Sequence, residues 1–337
     1  MTRLRITVLG SGSVGLAVAA TYALAGVDVT VLARGSARES AKGSARGSTL
    51  ELLRQTGITV TGVAGAHHIE PHRLKISDVE APDPQDLRCD VLIVATKAYQ
   101  VQDALLGLMH RTGVAFAPKA VLLLQNGWGS ADEARAILPA GVGIFSSIMM
   151  IGIERRTPAH INVNVQASPI RVGTLFGCAA DGMRLAVQQG QTGFLPMVYE
   201  DHIEAAILNK FLFNSCLNAL GALTKMTYGE LVTNPSTRHL ITHIADEIIQ
   251  VVQLERNYRL AANGVDYVEN SLLPLVIPKG AAHRSSMLQD VEAARRTEID
   301  YLNGAAVRMG HSRGIATPYN DGVSSLIRAR ESGSTSG

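Results

Sequence analysis

The feature that most constrains this chain is Ile6-Thr7-Val8-Leu9-Gly10-Ser11-Gly12-Ser13-Val14-Gly15, a β-branched run that breaks into G-x-G-x-x-G. An alanine-rich segment follows to about Ala25, Gly26 caps it, and Val27 to Ala33 reads as a second strand. That is one complete βαβ unit. The glycines have separate tasks: the first permits the tight turn, the second lets backbone approach a pyrophosphate, and the third lets helix and strand pack closely. The helix N-terminus adds unpaired N–H groups that attract an anion. Three glycines alone would mark only a turn, so the flanking strand and helix carry the reading. Gly10, Ser11, Gly12, Ser13, Val14 and Gly15 are therefore expected to cradle a dinucleotide.

The end of the second strand selects which dinucleotide. An NAD site would place an acidic residue there for the ribose 2′-hydroxyl, whereas this strand ends in Ala33-Arg34. A guanidinium suits a 2′-phosphate, so NADP (as NADPH) is the expected cofactor, with Arg34 as its contact. Ser36, Arg38, Lys42 and Arg46 follow in a Gly/Ser-rich loop, of which Lys42 and Arg46 read better as solvated charges.

The remaining sequence divides in two. The short apolar runs Val91–Ala95 and Ala120–Leu124 lack alternation, as strands buried on both faces do. They end in Thr96-Lys97 and Gln125-Asn126-Gly127, and ligands bind outside the carboxyl ends of such strands, which directs Lys97 and Asn126 toward the cofactor. Asn-Gly is also an ordinary turn. The stretch from Phe145 to Gly177 is β-rich and is expected to extend the edge of the first domain. Helical periodicity follows over Asp201–Leu223, Pro235–Asn263 and Ser286–Met309. The expected fold is α/β: a Rossmann dinucleotide-binding domain over 1–198, an all-α substrate domain over 199–328, and a flexible tail over 329–337.

With 337 residues, 46% of them hydrophobic, the chain can build two packed domains. A net charge of +2 and 4% aromatic residues give no support for nucleic-acid binding. Cys89, Cys178 and Cys216 have no metal or redox spacing and read as reduced thiols. The N-terminus mimics a secretory signal, but the glycine pattern explains the same residues better. No stretch reaches the roughly 20 apolar residues of a membrane span, so the expectation is a cytoplasmic protein without a membrane partner. A homodimer is left open.

Two helical segments carry candidate chemistry. Lys210, Asn214 and Asn218 recur every four positions and share one helix face, while the rest of that helix is apolar. Asparagine is a poor helix former unless its amide has a partner, so a buried or cleft-facing stripe explains the composition, beside the alternative of a solvated face. In the segment from Ser285 to Gly304, Ser286 with Gln289 forms a plausible capping box, and Asp290, Glu298 and the arginines are open to reading as surface pairs. His239, His243 and Glu247 have helical spacing but lack H-E-x-x-H, and no metal is expected.

The G-S-G-S-V-G motif, T-K-A-Y-Q at Thr96–Gln100, L-Q-N-G at Leu124–Gly127, N-K-F-L-F-N-x-x-x-N from Asn209, and S-S-M-L-Q-D followed by R-R-T-E-I-D-Y-L-N-G together resemble the ketopantoate reductases (2-dehydropantoate 2-reductases). The resemblance runs in order from Ile6 to about Pro318. It implies a Rossmann domain with a helical domain, NADPH as cofactor, a small 2-oxo acid as substrate, and pantoate as product for coenzyme A synthesis. By position, Lys210 matches the catalytic lysine and general acid, and Glu298 the glutamate needed for substrate binding and turnover. Asn214, Asn218 and Ser286 match substrate contacts, Asn126 a residue near nicotinamide and substrate, Lys97 a cofactor-side lysine, and Arg34 the arginine on the 2′-phosphate. His283 stands at the substrate pocket where the family usually has asparagine, Leu208 replaces a commonly aromatic residue, and Tyr228 stands where an asparagine can occur. These departures keep open a diverged member that reduces another 2-oxo acid. A regulator that senses NADP without turnover is the reading from another class, and retention of Lys210 and Glu298 argues against it.

Overall fold

The computed structural model describes residues 3–35, 48–112 and 118–333. Ser36, Arg38, Lys42 and Arg46 lie outside them. The chain forms two compact units, Met1–Gln125 with Ser130–Glu204, and Asn126–Gly129 with Ala205–Gly337.

The first unit is built on β1 (Arg5–Leu9), α1 (Ser13–Leu24), β2 (Asp28–Ala33), α2 (Thr49–Thr56), β3 (Ile58–Gly62), β4 (His67–Ile69), β5 (Lys75–Asp78), β6 (Val91–Val94), α3 (Val101–Thr112), β7 (Ala120–Leu123) and α4 (Ser130–Ile137). It continues through β8 (Gly143–Ile148), β9 (Ile151–Thr157), β10 (His160–Gln166), β11 (Ile170–Gly173), α5 (Asp181–Gly190) and β12 (Met197–Tyr199). Eight strands form one sheet in the order β12-β11-β8-β7-β6-β1-β2-β5. All its pairings are parallel except β8 with β11. β6 and β7 are buried throughout, which is why their sequences are uniformly apolar. The strand order reverses between β1 and β6, so the Gly10 turn sits at the switch point of the sheet.

The expected edge extension is only partly what forms. β8, β11 and β12 do lengthen the main sheet, but β9 and β10 leave it for a second sheet in the order β4-β3-β10-β9. The alternation in β10 decides this: Ile161 and Val163 turn inward and are fully buried in the same apolar cluster as α1. α1 is apolar all round because it is enclosed, with Gly15 through Ala23 all buried.

The second unit is helical: α6 (Ile203–Thr224, its first two residues assigned to the first unit), α7 (Tyr228–Thr233), α8 (Pro235–Arg256), α9 (Gly264–Tyr267), α10 (Ser286–Glu292), α11 (Asn303–Ser312) and α12 (Pro318–Gly333). α8 stops earlier than the periodicity suggests, because Asn257 takes a left-handed conformation with φ 51°. The helix expected over Ser286–Met309 is broken into two. α10 ends at Glu292, Ala294 adopts φ 49°, and a 3₁₀ turn at Ile299–Tyr301 precedes α11. Backbone bonds hold the break: the Arg295 N–H donates to the Asp290 carbonyl at 2.8 Å, and the Thr297 N–H to the Glu331 carboxylate at 2.7 Å. That second bond also ties down part of the expected tail, since α12 continues to Gly333. Residues 334–337 lie outside the description. No described helix is long and apolar enough to cross a membrane.

Candidate active site

In the first unit the glycine motif has the geometry of an anion cradle. Gly10 has φ +114°, a conformation that side chains rarely adopt, and a Cβ on it would lie 3.1 Å from the Ala95 backbone at the end of β6. A Cβ on Gly15 would lie 1.9 Å from the Gly10 carbonyl oxygen, so only glycine lets α1 start this close to the turn. Gly12 is different: a Cβ there would meet nothing within 4 Å. It is the N-cap of α1 and, without a side chain, leaves the N–H donors of the first turn without a side-chain cap. Ser11, Ser13 and Val14 line this turn and are half-buried. The Thr96 hydroxyl, just past β6, is buried without a partner among the described residues. A helix N-terminus without a side-chain cap, approached through glycines, fits a dinucleotide pyrophosphate.

Arg34 follows β2 directly and is exposed. Sequence reasoning missed Asp78, which pairs in register with Ala33, and whose carboxylate lies 2.9 Å from where a Gly35 Cβ would stand. The signal was unreadable because Asp78 reaches β2 through a parallel strand pairing, not through spacing. Lys97 is half-buried, and its N–H donates to the Gln100 side chain at 3.4 Å, closing the turn after β6.

The second unit contains a small cleft lined by Asn126, Asn218, Ser286, Asp290 and Glu298, with Met287 and Leu302 as its apolar part. Asn126 belongs here because its segment is fastened to the helical unit. The Trp128 N–H donates to the Tyr301 carbonyl at 2.8 Å, and Gly127, at φ +88°, passes so close that a Cβ would lie 2.1 Å from the same oxygen. The Asn-Gly pair is a required close approach as well as a turn.

The capping expectation for α10 shifts by one residue. Ser285 is the N-cap: its Oγ accepts from the Leu288 N–H at 3.1 Å and donates to the Asn218 carbonyl at 3.2 Å. Ser286 is therefore not committed to the helix end, and its exposed side chain lines the cleft. Four positions on, one helical turn along the same face, is Asp290. Asp290 is 4% exposed and accepts from Nε of the exposed Arg295 at 2.9 Å, so the expected pair forms on a buried carboxylate that also lines the cleft. That i, i+4 relation to Ser286 was the available signal. Glu298 reaches the cleft because α10 has already ended, and it sits at the start of the 3₁₀ turn.

On α6, Asn214 and Asn218 are 6% and 3% exposed, which decides for the buried stripe over the solvated face. Asn218 lines the cleft, while Asn214 lies one turn away on the same helix face and is not part of its lining. Lys210, one turn further, is half-buried. Burial draws its ammonium pKa down to about 8, and the Glu298 carboxylate acts in the opposite direction. His283 is not part of the cleft lining. Its ring packs 5.1 Å from that of Tyr228, and partial burial lowers its pKa. The His239, His243 and Glu247 stripe has a structural use. Glu247 accepts from the Tyr319 and Asn320 N–H groups, both at 2.9 Å, and so caps α12, while His243 stacks on Tyr319.

Chemically, the cleft offers amide and hydroxyl groups beside two carboxylates, one of which, Glu298, interacts electrostatically with the Lys210 ammonium of α6. Such a set fits a small polar, oxygen-rich ligand.

The sequence profile described as "Ketopantoate reductase PanE/ApbA" matches residues 6–176, and the profile "Ketopantoate reductase PanE/ApbA C terminal" matches residues 202–331. The chain is 32% identical over 244 residues to a 2-dehydropantoate 2-reductase of Aquifex aeolicus, covering 72% of this chain and 76% of that one. It is 27% identical to the Archaeoglobus fulgidus 2-dehydropantoate 2-reductase over 98% of both chains. Among solved structures, D-mandelate dehydrogenase with NADH and anilino(oxo)acetate superimposes with a TM-score of 0.83 at 21% identity, covering 98% of this chain and 99% of that one, which is a likeness of fold. The two profiles together span nearly the whole chain, and it belongs to the ketopantoate reductase family of oxidoreductases.

Proposed function

We propose that this protein reduces a small 2-oxo acid with NADPH, and that the acid is 2-dehydropantoate, giving pantoate for pantothenate and coenzyme A synthesis in the cytoplasm. The observation that carries the reading is Lys210, a half-buried lysine on the polar stripe of α6 whose pKa is brought to about 8 with Glu298 as its counter-charge. Bound NADPH would supply the hydride. As the C2 carbonyl becomes an alkoxide, the Lys210 ammonium stabilises the developing charge and donates its proton to that oxygen. A lysine near pKa 8 remains mostly protonated at neutral pH and yields the proton more readily than an ordinary one. Glu298 keeps the ammonium charged and accepts from a substrate hydroxyl. Asn214, Asn218, Asn126 and Ser286 hold the substrate's oxygens, and His283 shapes the surroundings of that pocket. Arg34 holds the 2′-phosphate, and Lys97 is a cofactor-side cation.

A different 2-oxo acid is the second reading. Tyr228 and His283 form an aromatic pair next to Asn218, and the D-mandelate dehydrogenase of similar fold was solved with an aryl-bearing oxo acid derivative and NADH. The test is the loss of NADPH absorbance with 2-dehydropantoate, beside NADH and a panel of aliphatic and aryl 2-oxo acids, with Lys210→Ala as control. Lys210-dependent turnover selective for 2-dehydropantoate supports the first reading. Turnover of another acid moves the assignment to the second, and binding of NADPH without any turnover overturns both.

A further inference from the structure

Tyr228 is a buried tyrosine whose hydroxyl is spent on a residue of the cleft. It is the first residue of α7, and the Thr227 capping box fixes where that helix starts: the Thr227 N–H donates to the Glu230 carboxylate at 2.7 Å and its hydroxyl accepts from the Glu230 N–H at 3.4 Å. Two backbone bonds fasten this helix start to the segment before α10, from Tyr228 N–H to the His283 carbonyl at 3.1 Å and from Gly229 N–H to the Ala281 carbonyl at 2.8 Å. The ring is held from two sides, by Phe213 of α6 edge-on at 5.4 Å and by His283 at 5.1 Å. Its hydroxyl donates to Asn218 Oδ1 at 2.8 Å. Burial raises the phenol pKa, so the hydroxyl stays protonated and remains a donor.

The consequence falls on Asn218. An asparagine side chain has an acceptor and two donors, and rotation about its last bond exchanges which of them faces a given direction. Here the side-chain oxygen is turned to the Tyr228 hydroxyl, and the backbone carbonyl of the same residue accepts from the Ser285 hydroxyl. With its oxygen held on that side, the Asn218 side chain, which lines the cleft, presents its NH₂ group in the other direction. A pinned amide costs less entropy on binding than one that must first turn.

We propose that Tyr228 is a positioning residue, which fixes the Asn218 amide as a hydrogen-bond donor toward the cleft and so selects a ligand that presents an acceptor oxygen there, such as a carboxylate or carbonyl. This rests on the 2-oxo acid reading above. Phe213 and His283 act on Asn218 at one further remove, by holding the Tyr228 ring.

The test is a double-mutant cycle with Tyr228→Phe, which keeps the ring and removes the hydroxyl, and Asn218→Ala. KM for the oxo acid should rise about tenfold in Tyr228→Phe, the size of one well-placed hydrogen bond, with a much smaller change in kcat. In the Asn218→Ala background the same substitution should have no further effect on KM. An equal rise in both backgrounds would show a purely structural tyrosine and overturn the proposal. Should Asn218→Ala not fold, Asn218→Ser supplies the same background. Independently of turnover, the ¹H–¹⁵N heteronuclear NOE of the Asn218 side-chain amide in the intact protein should fall from a rigid to a mobile value on Tyr228→Phe. An unchanged NOE overturns the pinning. If no oxo acid is turned over by the unmutated protein, the reductase reading fails, and the NOE still decides whether Tyr228 holds Asn218.

Discussion

Residues 10–15 of the first unit work as six consecutive positions, whereas the cleft of the second unit draws Asn126, Asn218, Ser286, Asp290 and Glu298 from separate stretches spread over more than 170 residues. The turn works through what it lacks. With no Cβ at Gly10, Gly12 or Gly15, backbone can adopt φ +114°, α1 can approach Gly10, and the helix start carries no side-chain cap. The cleft works through side chains, each placed by a different local device: a close backbone approach at Gly127, a shifted N-cap at Ser285, a helix break before Glu298, and an amide held by Tyr228. A contiguous motif leaves its chemistry readable in one line of sequence. An assembled one shows its chemistry only once those local devices have brought the side chains together.

That contrast can be broken at its strongest point first. Lys210→Ala should lower kcat by on the order of 10³, the scale of a lost general acid, while the NADPH dissociation constant stays within about twofold. Wild-type turnover in that variant, measured at saturating cofactor, removes the chemistry from α6. Gly12→Ala comes next. Its Cβ would enter open space, so Tm should hold, yet NADPH affinity should fall on the order of 100-fold because that space is where phosphate would lie. Fluorescence titration and a thermal melt read the two effects separately, and unchanged affinity would leave the turn without an anion.

Arg34→Ala should raise KM for NADPH about tenfold and leave NADH unaffected, since only NADPH has the 2′-phosphate. Equal losses for both cofactors would overturn the 2′-phosphate assignment. The smallest effect is a displacement along the pH axis. As general acid, Lys210 must be protonated, so reduction should fall as pH rises through about 8. The Glu298 carboxylate raises that pKa, and Glu298→Gln should move the falling limb of the residual activity to lower pH. A shift to higher pH would contradict the coupling.

Much of the architecture is legible without coordinates. Apolar runs in β6 and β7 announced a parallel sheet, and the periodicity of α6 placed Lys210, Asn214 and Asn218 on one face. The failures are equally specific. The helix read through Ser286–Met309 is two helices, because Asp290 and Glu331 take the N–H groups of Arg295 and Thr297, and such competition is invisible to a periodic pattern. The β-rich stretch expected to extend the edge of the first domain splits between two sheets, because both sheets ask for the same alternation and only their partners differ.

The sequence by itself determined the glycine turn, the two-part organisation and the kinds of side chain available, since turn conformation, strand burial and helix periodicity are set within a few residues. Only the tertiary structure decided which of them meet. Ser286 lines the cleft because Ser285 took the cap, Asp290 became a cleft carboxylate, Asp78 came beside Gly35, and the Asn218 oxygen was turned to the Tyr228 hydroxyl from another helix. Hydrogen-bond valence is finite and long-range partners compete for it, so what a polar side chain has left to offer a ligand is known only once the chain has folded.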